Sequence, residues 1–149
     1  MAENIVLLAV DLHHRAHSRQ VALEAVKLAK THTARIVAVF VIPDQQDSYA
    51  QHYVPADLRA RVQAEAETDL QKFCTEIDWD GCAHSNVVLR GVVYEKIVKH
   101  SEQLDASFVV IGANRPKLKD LFIGPNAARV ARHANCSVLI VRPQTSENS

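Results

Sequence analysis

Ile5-Val6-Leu7-Leu8-Ala9-Val10-Asp11 decides the fold: six apolar residues in unbroken succession, closed by a carboxylate. A strand with one wet face alternates apolar and polar side chains. A strand covered on both faces has no reason to alternate. Three more runs share this character, Ile36–Ile42, Phe108–Ile111 and Val138–Val141, and Ser85–Leu89 is a weaker fifth. Together they predict a parallel sheet sandwiched between two layers of helices.

The segments between these runs have helical spacing. Ser18 is placed to cap a helix whose inner face carries Val21, Ala25, Leu28 and Ala29. Pro55 suits the first turn of a second helix, along which Leu58, Val62, Leu70, Phe73 and Ile77 recur. Gly91 leads into a third, Val93–Leu104, with Ile97, Val98 and Leu104 inward. Asn126 is placed to cap a fourth, with Ala128, Val130 and Ala131 inward and a stop at His133-Ala134-Asn135. Alternation of strand and helix with right-handed crossovers gives a doubly wound α/β domain.

The length of 149 residues fits one domain, expected over residues 1–143, with a polar tail over 144–149. A chain of this size buries about 68–70% of its unfolded surface and needs no covalent staple. Lys plus Arg balances Asp plus Glu at 17 each, so global charge recommends neither nucleic acid nor an anionic membrane as a partner. No stretch approaches the roughly 20 apolar residues that span a bilayer. Ile5–Val10 is too short for a leader core and follows Glu3. Three cysteines, none in C-x-x-C spacing, fit a reduced compartment, so a cytoplasmic setting is expected.

In open parallel sheets ligands sit beyond the carboxyl ends of the strands, where strand order reverses. If the first and fourth strands are neighbours, Asp11 and Gly112 meet there, with Ile42-Pro43 alongside. Asp11 is either an acceptor for ligand hydroxyls or a loop cap; its position fits both. Gly112 permits close approach to the backbone. Gly124 precedes the last helix, whose free N–H groups suit an anion.

In these residues the chain resembles the universal stress protein family. The likeness runs from Ile5–Asp11 through Val39–Ile42, Gly91, Ile97–Asp105, Phe108–Gly112 and Leu118–Gly124 to Ser137–Arg142. The resemblance implies a five-stranded sheet of order 3-2-1-4-5 with helices on both faces. It further implies a role in stress survival without catalysis, and homodimers joined through the last strand, Val138–Val141. Part of the family binds ATP or AMP through G-x-x-G, nine residues, then G followed by Ser or Thr. Asp11, Val41 and Gly112 match that pattern, Val41 at the position whose main chain contacts adenine. The remainder departs: Arg115 replaces the second glycine, eight residues separate it from Gly124, and Pro125 replaces the hydroxyl residue. Pro125 has neither N–H nor hydroxyl to give. Each hydrogen bond lost to a charged group is worth about 1.5–3 kcal/mol, roughly ten-fold or more in affinity. Against this, Arg115, Lys117 and Lys119 bring positive charge, and Asn126 and Ala127 retain helix-start N–H groups. The nucleotide-binding set implied by the resemblance is therefore Asp11, Val41, Gly112, Arg115, Gly124 and Asn126.

Other constellations carry less. His13, His14 and His17 read as a His-rich polar loop rather than a metal site. Ser18 and Ser107 lack a nucleophile elbow. No phosphate loop of the G-x-x-x-x-G-K-[ST] type occurs. One acid after the first strand is too few for a phosphoacceptor receiver. Arg129 and Arg132 read as a solvated helical face. The last strand, if it is an edge, needs a cover, which a two-fold mate would supply.

Overall fold

The computed structural model describes residues 3–44, 54–113 and 123–144. Nine elements follow one another: β1 (Ile5–Ala9), α1 (Arg15–His32), β2 (Arg35–Pro43), α2 (Ala56–Thr75), β3 (His84–Gly91), α3 (Val93–Gln103), β4 (Phe108–Gly112), α4 (Pro125–His133) and β5 (Ser137–Val141). All strand pairings are parallel, and the order is β3-β2-β1-β4-β5. The doubly wound sheet expected from the sequence is the one observed.

The unbroken apolar strands are explained by two separate cores. Val6 and Leu8 face one side with Ala38, Phe40 and Val110, where α1 and α2 supply Val21, Ala25, Leu70 and Phe73. Ile5 and Leu7 face the other with Val37, Val39 and Val109, where α3 and α4 supply Ile97, Ala127 and Val130. Neighbouring side chains of a strand point to opposite faces, so a strand covered twice must be apolar at every position. Each fully buried Leu or Val contributes about 1.5–3 kcal/mol.

Three helix starts differ from the sequence expectation. Ser18 is not the cap of α1, which begins at Arg15; it lies buried within the helix. Its Oγ accepts the main-chain N–H of Asp11 at 3.0 Å and donates to the Asp11 carbonyl at 2.9 Å. A short hydroxyl that could cap the helix instead closes the turn behind β1. Pro55 stands one position before α2, not within its first turn. In α4 the cap position is Gly124, at φ 94°, and Pro125 is the first helical residue, so Asn126 lies inside the helix. Proline's fixed φ and missing N–H suit that first position.

The face expected along α2 also divides. Ala66, Leu70, Phe73 and Cys74 are buried, but Leu58 and Val62 are exposed. Only the second half of the helix lies on the sheet. The weak fifth strand is longer than its apolar run: β3 pairs with β2 from Ile36↔His84 to Pro43↔Gly91. It is an edge strand, half covered, and tolerates polar residues at its open end. The expected tail lies mostly outside the described residues.

Candidate functional site at the carboxyl ends of strands one and four

β1 pairs with β2 on one side and β4 on the other, so strand order reverses at β1. The connections leave in opposite directions, and a cleft of about 160 Å³ opens there. Asp11 and Gly112 both line it, as the sequence requires, and so do Val41 and Asn126. Apolar walls come from Val10, Val39, Val41, Val93, Ile97 and Ile111. Gly124 is not part of the lining; it turns the chain into α4 ahead of Asn126. Arg115 lies outside the described residues.

The main chain of Val41 has a particular position. Hydrogen bonds from Arg35 N–H to Asn4 and from Val10 N–H to Val39 show that odd residues of β2 face β1. Even residues face β3, as Ile36 and Asp44 do. Val41 therefore turns its N–H and carbonyl toward β1, where β1 has already ended. No backbone group among the described residues takes them up. They present one donor and one acceptor at the cleft, the pair that the edge of a purine complements.

Asp11 holds its own loop. Its Oδ1 accepts the His13 N–H at 2.9 Å, and its Oδ2 meets His14 Nδ1 at 2.9 Å. Of the two roles open on sequence, the loop-cap role is present in the geometry, with the carboxylate still at the cleft wall. The histidine cluster separates by direction. His14 engages Asp11, His13 packs edge-on to Phe40 at 6.3 Å between centroids, and His17 faces Gln20 Oε1 across 3.3 Å. Among the described residues no three His, Cys, Asp or Glu side chains are placed to share a metal ion.

His13 and His17 both line the cleft, a role that the sequence reading did not give them. The available signal was spacing, because His17 lies one helical turn before Val21, on the face that meets the sheet.

A model of the universal stress protein family matches residues 3–142. The chain belongs to the universal stress protein family. Universal stress protein G of Shigella flexneri is 31% identical over 140 residues, covering 92% of this chain and 97% of that one. Among solved structures, a universal stress protein of Archaeoglobus fulgidus in complex with dAMP superposes with a TM-score of 0.60 at 19% identity. That likeness covers 95% of this chain and 99% of the other. Another universal stress protein, in complex with cAMP, gives 0.59 at 16% identity over 97% and 100%. At such identities these likenesses concern the fold. For this family member, as for the whole sheet, no described helix is long and apolar enough to cross a membrane.

Proposed function

We propose that the protein is a non-enzymatic stress-response module of the cytoplasm, acts as a homodimer, and takes an adenine nucleotide (ATP or AMP) into the cleft without turning it over. The observation that carries the ligand reading is the free main-chain edge of Val41, flanked by apolar walls at the point where strand order reverses. A base held there gains one donor and one acceptor contact that water otherwise satisfies, and its faces gain apolar burial. Relatives of the same fold in complex with dAMP and cAMP support the same ligand class. Asn126, in the first turn of α4, also lines the cleft, and a helix start suits a phosphate. The reading without turnover is supported by Pro125, which offers neither hydroxyl nor N–H to a phosphate, and by the bonds of the Asp11 carboxylate to its own loop.

Calorimetric titration with adenosine, AMP and ATP tests this reading. Saturable heat with at least one of them at micromolar to millimolar concentration is expected, with no inorganic phosphate released from ATP in the presence of magnesium. Absence of heat at millimolar concentration of all three would end the ligand reading.

A further inference from the structure

Gly112 lines the cleft, yet the position that a side chain on it would take is already filled. A Cβ built on Gly112 would lie 2.6 Å from His17 Nε2, 2.9 Å from His17 Cδ2 and 3.0 Å from Val21 Cγ2. Real carbon contacts do not come so near, so the missing side chain of Gly112 is the space that the His17 imidazole fills. The ring thereby stands at the cleft wall on the α1 side of the turn.

The ring is also held in place by a polar contact. Gln20 Oε1 accepts the main-chain N–H of Gln144 at 3.4 Å. His17 Nδ1 lies within hydrogen-bond distance of that oxygen, at 3.3 Å. The other ring nitrogen, Nε2, is buried and has no hydrogen-bond partner among the described residues. The bulk of the ring therefore occupies the α1 side of the Gly112 turn.

We propose that His17 is a specificity-determining residue that keeps phosphate groups off the Gly112 turn, so that the cleft favours a nucleoside, adenosine in the first instance, over a nucleoside triphosphate. This rests on the adenine reading of the cleft and narrows it. The sequence around the turn points the same way, since Arg115 removes a glycine and Pro125 removes an N–H where a triphosphate would be held.

Titration of the full chain with adenosine and with ATP, in the native protein and in His17→Ala, separates the possibilities. The native protein is expected to bind adenosine at least as tightly as ATP. In His17→Ala the ATP-to-adenosine affinity ratio rises about ten-fold, the worth of one regained contact to a charged group. A ratio unchanged by the substitution, or native preference for ATP, overturns the role of His17 while leaving the adenine reading standing. Silence from both ligands in both proteins overturns both. Thermal melting verifies folding, and His17→Ser replaces His17→Ala should the latter unfold. The contact itself is read by Gly112→Ala, which is expected to destabilise the native protein and to be tolerated beside His17→Ala. Equal destabilisation in both backgrounds would disprove it.

Discussion

Cys74 shows how far one buried side chain departs from its ordinary chemistry. Burial pushes its thiol from the usual 9.0 up to about 11. Burial also raises the Cys136 thiol. A thiolate is the reactive form, so Cys74 is expected to resist alkylating reagents at pH 8 in the folded chain and to react quickly once urea unfolds it. The same shift has a consequence for stability. The folded state disfavours the thiolate, so the contribution is fully present below pH 9 and is lost as pH rises through about 11. Urea midpoints measured from pH 8 to 11 should therefore fall less steeply in Cys74→Ala than in the native protein. Identical slopes would show that the thiol does not titrate with folding. At this scale the sequence was legible in part. Asp11 and Gly112 were found from the ends of apolar runs, whereas Ser18 was misplaced. Its partner, the Asp11 backbone seven residues earlier, is reached only because the chain turns back after β1.

Among the elements, α2 divides most sharply between what its periodicity offers and what the sheet accepts. Leu70 and Phe73 are fully buried, while Leu58 is 43% exposed in the same helical stripe. Truncation should separate the halves. Leu70→Ala is expected to cost about 2–5 kcal/mol, because a cavity opens in a packed core. Leu58→Ala should stay within about 0.5 kcal/mol. Chemical denaturation of both variants checks this, and comparable losses would mean that the first turns of α2 pack against something in solution. Periodicity reveals which residues share a stripe, but not how long the neighbouring surface is. Full burial along α2 begins only at Ala66, so the stripe outruns the surface that covers it. The opposite error occurred at β3, where polar residues hid a strand that main-chain pairing with β2 holds for eight residues.

For the whole molecule, the open question is the edge formed by β5. Its residues are at best half-buried, Leu139 is 37% exposed, and among the described residues only β4 pairs with it. An uncovered apolar edge is an invitation to pairing, and a second copy related by a two-fold axis answers it with the same surface. Light scattering on the native chain is expected to give a dimer mass near twice 16.5 kDa. Ile140→Pro, which removes a ladder donor, should shift it to monomer. A native monomer at high micromolar concentration would count against the last-strand dimer. By itself, the sequence determined the layered α/β class and the strand ends that meet in the cleft. Apolar runs and their spacing are local properties, and burial on two faces leaves no other pattern. Only the tertiary structure decided what the cleft is lined with. The free edge of Val41 exists because β1 stops before β2 does, and His17 meets Gly112 because α1 folds back across β4. Both depend on where separate segments end relative to one another in space, which no single stretch of chain encodes.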